Sequence, residues 1–185
     1  MYHIKDDLRE QKTAELLVEA ARQQLLDRNK EPGTIAGLCR ASGVSRSTFY
    51  RHFDSYDDVL RYIADVRMME MTGAYLEHLR SSTDPVNPAM WYATWILDHY
   101  RELVALLRKG KSQLLIDAHV RALYDHAPAL FPDMDPDSDE FMFFAYTRSY
   151  TAIGALQAWL KTGRKASAEE LAGYMEKQLR FLNGT

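Results

Sequence analysis

Apolar residues recur at three- and four-residue spacing along almost the whole chain, and no stretch alternates apolar with polar side chains. A period near 3.6 buries one stripe of a helix, whereas a period of 2 buries one face of a strand. The chain is therefore expected to be all-α, with no strand. Glycine and proline are sparse, nine and six, and the prolines with five of the glycines fall between or after the periodic segments, where they punctuate helices. With 185 residues, 46% of them hydrophobic, the chain can bury a full core without staples. Its one cysteine, Cys39, excludes an intrachain disulfide and fits a reducing compartment.

The first helix is expected from about Leu8 to Asp27, with Leu17, Ala20, Ala21 and Leu25 on one face and a break at residues 29–33, NKEPG. Three short helices are expected next, separated by Ser42-Gly43-Val44 and by Phe53-Asp54-Ser55. Ser55 with Asp58 resembles a capping box and opens a long helix to about Leu79. Residues 81–88, SSTDPVNP, read as a loop. A helix then carries Trp91, Trp95, Leu103 and Leu107 and ends at Arg108–Lys111; another runs from about Gln113 to His126. Pro128 to Pro136 reads as an irregular acidic loop. Two long helices finish the chain, about Asp139–Lys161 and Ala168–Leu182, the first stopped by Gly163 and the second capped by Ser167 with Glu170. Two units follow: 1–54, a small three-helix unit, and 55–185, a larger helical body. The helix from Ser55 joins them without a flexible linker.

Residues 34–53 read TIAGLCRASGVSRSTFYRHF. Thr34 is suited to cap a helix whose Ile35 and Leu38 face inward. Gly43 stands where a tight inter-helix turn needs positive φ, and Val44 fills the angle between the helices. Ser45 is the next cap. The helix after it carries Arg46, Ser47, Thr48, Tyr50 and Arg51 around inward-facing Phe49 and Phe53. This is a helix-turn-helix pattern, and the residue types suit DNA. Hydroxyls of Ser45, Thr48 and Tyr50 bond phosphate oxygens; Arg46 suits a bidentate contact to guanine; Arg40 and Arg51 neutralise phosphates. The formal net charge of −3 argues against such a partner, but between Arg40 and Phe53 the chain has three arginines, a histidine and no acid. The expected DNA-facing set is Thr34, Arg40, Ser45, Arg46, Ser47, Thr48, Tyr50, Arg51 and Tyr56. The bland reading of the same segment is a packing unit that touches no nucleic acid.

The stretch GVSRSTFYRHF resembles the signature of the TetR family of transcriptional regulators, in which Ala-Gly-Val-Ser precedes a small residue, Thr, an aromatic pair and a closing Phe. The resemblance covers about residues 8–62. Cys39 and Ser42 stand where the family usually has alanine. Tyr56 stands where it commonly has a phosphate-contacting lysine; a tyrosine can donate a hydrogen bond but lacks the charge. The segment FFAYTRSYTAIGALQAWLKTGRKASAEELA is similar to the paired dimerisation helices of some members, including regulators of dihydroxyacetone-kinase type. The resemblance implies a homodimer on a palindromic operator, a small-molecule effector bound in the body, and most commonly repression relieved by that effector.

In the body, the helix from Asp139 is apolar nearly all round, with Phe141, Phe144, Ala145, Ala152 and Trp159 on one stripe and Phe143, Tyr146, Tyr150 and Ile153 on another. One face is expected in the chain's own core and the other against a second copy. The expected dimer residues are Ile153, Ala155, Trp159, Leu171, Tyr174, Met175 and Leu179; an intrachain core is the alternative. Large adaptable side chains with polar tips are expected to line an effector chamber: Met68, Met71, Tyr75, Trp91, Trp95, His99, His119, Tyr146 and Tyr150. Each of these, taken singly, also reads as ordinary core.

His99 and Glu102 stand at i, i+3 without a second such pair, and read as solvated surface rather than metal ligands. The acids from Asp133 to Glu140 lack the glycine of an EF-hand loop. No G-x-G-x-x-G, Walker loop, G-x-S-x-G or H-E-x-x-H occurs. No cofactor, metal or enzymatic activity is expected. The opening MYHIKDDLREQK has no apolar run, and no stretch suits a membrane span, so a cytoplasmic location is expected. The combined expectation is a ligand-responsive DNA-binding regulator. The alternative is a helical small-molecule-binding protein or enzyme with a vestigial helix-turn-helix, to which Tyr56 and the acidic total charge point.

Overall fold

The computed structural model describes residues 1–4, 8–27, 33–82 and 87–182, the last four as backbone only. Every regular element among them is a helix: α1 (Leu8–Leu26), α2 (Ile35–Ser42), α3 (Arg46–His52), α4 (Tyr56–Ser81), α5 (Pro88–Arg108), α6 (Ser112–Asp125), α7 (Ala127–Leu130), α8 (Asp139–Lys161) and α9 (Ala168–Leu182). The all-α expectation is met. Most of the expected break at 29–33, and residues 83–86 of the expected loop, lie outside the described residues.

Local chemistry explains the boundaries. Thr34 Oγ1 accepts from the Gly37 amide at 3.0 Å, Ser45 Oγ from Thr48 at 3.1 Å and Ser55 Oγ from Asp58 at 3.2 Å. Each satisfies an amide that the first helical turn leaves without a partner. At α9 the capping box closes in both directions: Glu170 N donates to Ser167 Oγ, and Ser167 N donates to Glu170 Oε2 at 2.9 Å. Gly43 ends α2 at φ 71°, a region that costs a side-chain-bearing residue about 1 kcal/mol or more. Two expectations need correction. Two short helices, not three, lie between α1 and the long helix, because Ser55 caps α4 directly after Phe53. The start of the expected acidic loop is the single helical turn α7.

α1 packs on α2, α3, α4 and α5, and α4 runs on into the body against α6. One continuous core therefore links both ends of the molecule, from Leu17, Leu38, Phe49 and Phe53 through Ile63 and Met68 to Ile96, Leu106 and Leu156. A smaller cluster gathers Val120, Leu123, Ala127, Phe141 and Ala145. Two acids fasten the junction. Glu102 of α5 is buried, accepting from Arg67 Nε at 2.5 Å and Nη2 at 3.2 Å, with Arg22 Nε 3.3 Å away but not aligned as a hydrogen bond. Its expected place on a solvated surface is thus corrected: three helices close over it. Asp65 of α4 is buried between the Tyr2 hydroxyl at 3.1 Å and Arg121 Nε of α6 at 3.0 Å. The opening residues lie along the end of α3, with His3 N donating to His52 O at 2.8 Å.

Candidate nucleic-acid interface and body cavity

α3 is two turns long and divides cleanly. Phe49 and Phe53 are fully buried, and Phe49 meets Tyr50 edge-on at 5.4 Å between ring centroids. Ser45, Arg46, Ser47, Tyr50 and Arg51 are exposed, and Thr48 is half-buried. Ser45 Oγ lies 2.9 Å from Ser47 Oγ and 2.8 Å from Thr48 Oγ1, to which Arg51 Nη2 donates at 3.3 Å. Hydroxyls and guanidiniums therefore form one surface row, held on a helix that its aromatic residues anchor from beneath. Arg40, in the last turn of α2, is exposed next to the turn, as is Thr34 at that helix's start.

Tyr56 departs from this row. Its ring is half-buried where Gly33 leaves room: a Cβ on Gly33 would come within 2.3 Å of Tyr56 Cζ. Its hydroxyl donates to Gln24 Oε1 at 3.4 Å, and burial raises its pKa. The side chain is occupied inside the N-terminal unit rather than presented beside α3. His52, unremarked as a site residue, is buried at the back of α3 with Nδ1 unpartnered, and burial lowers its pKa.

In the body, a cavity of about 1100 Å³ opens between α4, α5, α6, α8 and α9. That is near the upper end of the range for small-molecule sites. Four expected effector residues line it: Met71, Tyr75, Trp91 and His119. The other five do not. Met68 is sealed in the core, and His99 stacks on Trp95 at 4.4 Å, with its Nδ1 2.9 Å from Trp95 O. Trp91 and Trp95 differ by a full helical turn plus 40°, enough to put them on different neighbours. Tyr146 and Tyr150 are on the exposed side of α8.

Sequence reasoning missed most of the polar wall: Arg148, Thr147 and Thr151 line the cavity with Tyr92. Arg148 is half-buried, and burial lowers its pKa; the nearby Tyr75 and Tyr92 hydroxyls act in the opposite direction. Tyr92 and His119 are buried, their rings 6.1 Å apart, and neither the Tyr92 hydroxyl nor His119 Nδ1 has a hydrogen-bond partner. Burial, with Arg148 adding to it, drives the His119 pKa down to about 3, so the ring is neutral near pH 7. A signal for Arg148 did exist: a lone cation between Phe144 and Ala152 on an otherwise apolar stripe.

The expected dimer residues fall in different surroundings. Ile153, Trp159 and Leu171 are buried within their own chain, and the Trp159 indole donates to Ala166 O at 3.0 Å. Ala155 and Met175 are half-buried, Met175 in the cavity wall, and the Leu179 side chain lies outside the described residues. Only Tyr174, 56% exposed, is on the surface. Several large apolar side chains on α8 are exposed: Phe143, at the cavity wall, 76%, Tyr150 53%, Met142 49% and Tyr146 44%, with open space above Gly154.

Among the described residues no group of three or more His, Cys, Asp or Glu is arranged to hold a metal ion, and no helix is long and apolar enough to cross a membrane.

Comparison with known proteins adds the following. Residues 17–63 match the family described as bacterial regulatory proteins, tetR family. Over 66 residues the chain is 35% identical to an uncharacterized HTH-type transcriptional regulator, YwcC, of Bacillus subtilis (strain 168). That match covers 36% of this chain and 30% of the relative, so the chain spans less than a third of that protein. A TetR transcriptional regulator from Streptococcus agalactiae 2603V shares the fold: TM-score 0.54, 19% identity, 91% of this chain and 93% of that one. The fatty acid degradation regulator FadR from Bacillus halodurans superposes with a TM-score of 0.48 at 15% identity, over 94% and 93% of the two chains.

Proposed function

We propose that this chain, whose residues 17–63 match the tetR family, is a DNA-binding transcriptional regulator, homodimeric, cytoplasmic and responsive to a small molecule held in its body. In this reading residues 1–54 bind DNA and residues 55–185 bind the effector and the second subunit. The observation that carries it is the row of Ser45, Arg46, Ser47, Thr48, Tyr50 and Arg51 on the outer side of α3, over buried Phe49 and Phe53. A helix so anchored enters the major groove by its N-terminal end, with Arg46 at base edges and Ser45, Thr48, Tyr50, Arg40 and Arg51 at phosphates. Thr34 contributes a further phosphate contact at the start of α2.

The second copy docks on α8 and α9. Support comes from exposed Phe143, Tyr146, Tyr150 and Tyr174, an apolar patch of the kind that monomers seldom leave in water, and from Gly154, which permits close helix approach. Two-fold symmetry then sets a pair of recognition helices one DNA turn apart, about 34–36 Å, on a palindrome.

The cavity and the DNA-binding unit communicate through α4, which runs from the cavity residues Met71 and Tyr75 back to Ser55 beside α3. An effector that fits one α4 setting better shifts the population toward it and changes the separation of the recognition helices. Release of repression is the direction assigned. In vitro selection from a random duplex pool tests the reading: a palindrome should be enriched, and addition of effector should release it. Enrichment of no sequence at all would contradict it.

A further inference from the structure

We infer that the body cavity is specific for apolar monocarboxylic acids, whose carboxylate is received by Arg148 together with the Tyr92 hydroxyl and His119 Nδ1. This rests on the reading of the cavity as an effector site and adds the chemical class of the effector.

Arg148 makes no ion pair among the described residues; its neighbour is the Phe144 ring, 5.9 Å from the guanidinium carbon. A guanidinium half-withdrawn from water without a carboxylate still carries a desolvation cost that an anion would offset. Two further orphans share its wall. The Tyr92 hydroxyl and His119 Nδ1 are buried and unpartnered, and both groups feel the Arg148 charge. Buried polar groups normally find partners, so the buried orphans beside the unpaired Arg148 point to a missing acceptor. Guanidinium, phenol and the neutral imidazole's N–H are all donors, and a carboxylate offers two oxygens with about four lone-pair sites. The acid in the lining, Glu176, accepts from the Asn87 amide. The lining also includes Met71, Leu79, Trp91, Leu123 and Phe131, which favour an apolar body.

The test uses the full chain and three probes of equal length at pH 7.5, below micelle formation: decanoic acid, decan-1-ol and decylamine. Quenching of Trp91 fluorescence reports occupancy. Decanoic acid should bind about tenfold or more tighter than decan-1-ol, the scale of a charge-assisted hydrogen bond, and decylamine weakest. Arg148→Met should erase the acid-over-alcohol preference while decan-1-ol still binds. Tyr92→Phe should reduce the preference severalfold, and Arg148→Lys should keep part of it. Equal binding of acid and alcohol, an unchanged preference in Arg148→Met, or no binding of any probe would overturn the inference. Anisotropy of labelled duplex DNA, measured on the same unliganded proteins, separates the two claims. DNA binding with no acid preference sinks only this inference, and acid preference without DNA binding sinks only the regulator.

Discussion

Arg22 of α1 and Arg67 of α4 converge on one buried carboxylate, Glu102 of α5. The N-terminal unit, the connecting helix and the body thus meet at a single charge. Arg67 carries the two hydrogen bonds, and Glu102 holds its guanidinium firmly protonated.

Removing that charge should loosen the junction. Glu102→Gln leaves two arginines facing a neutral amide. Loss of one partner from a well-buried pair costs roughly 3–5 kcal/mol. Both arginines retain some solvent here, so about 2–3 kcal/mol is expected. Urea unfolding should show a lower midpoint with an unchanged slope. A midpoint equal to wild type would mean that the triad contributes nothing.

The exposed side chains of α3 should separate by role. Arg46→Ala is expected to cost about 1–3 kcal/mol against the selected duplex and to relax its sequence preference. Tyr50→Phe should weaken binding evenly across sequences. Competition anisotropy with matched and scrambled duplexes distinguishes the two, and reversed behaviour would contradict the assigned roles.

Two buried histidines make stability depend on pH. Burial lowers the pKa of both His52 and His119, the latter to about 3, whereas an unfolded histidine titrates near 6.5. Below that value the unfolded chain takes up protons that the native chain refuses. Stability is therefore full above about pH 6.5 and is lost as pH falls toward 3. At pH 5 His119 alone should account for about 2 kcal/mol. Thermal scans from pH 7.5 to 5 should show a falling Tm, with a shallower fall in His119→Leu; identical slopes would exclude His119 as the cause.

The outer face of α8 should govern self-association. Tyr146→Asp with Tyr150→Asp replaces two exposed aromatics and disturbs no buried packing. Sedimentation velocity should show wild type as a dimer and the double variant as a monomer of unchanged helicity. A wild-type monomer at all concentrations would contradict the homodimer, and a dimeric variant would move the interface elsewhere.

How much of this was legible in the sequence follows from where the physics is local. Helix ends were, because Ser45, Ser55, Ser167 with Glu170, and Gly43 act on amides and dihedrals within a few residues of themselves. The burial of Phe49 and Phe53 under exposed hydroxyls was also readable, since a short helix has only one inner side. The cavity was half readable. α5 is buried on several sides, so its period names the buried residues but not the neighbour each one meets; Trp91 reached the cavity while Trp95 stacked on His99. Arg148 and Glu102 were missed for one reason: a charge in a sequence reads as solvated until its three-dimensional surroundings are known. The expected dimer residues show the opposite difficulty. Ile153, Trp159 and Leu171 are large apolar residues, and the chain's own core buries all three. The exposed aromatics left for the proposed second copy are Phe143, Tyr146, Tyr150 and Tyr174.

The account stands on α3 meeting a phosphate backbone. Fluorescence anisotropy of the selected duplex from low to physiological salt tests that most directly. Each neutralised phosphate contributes about −0.9 to the slope of log K against log salt. Wild type should give a steep negative slope, and Arg51→Ala should reduce it by about one unit. A flat salt dependence, or a slope unchanged by Arg51→Ala, would contradict the account.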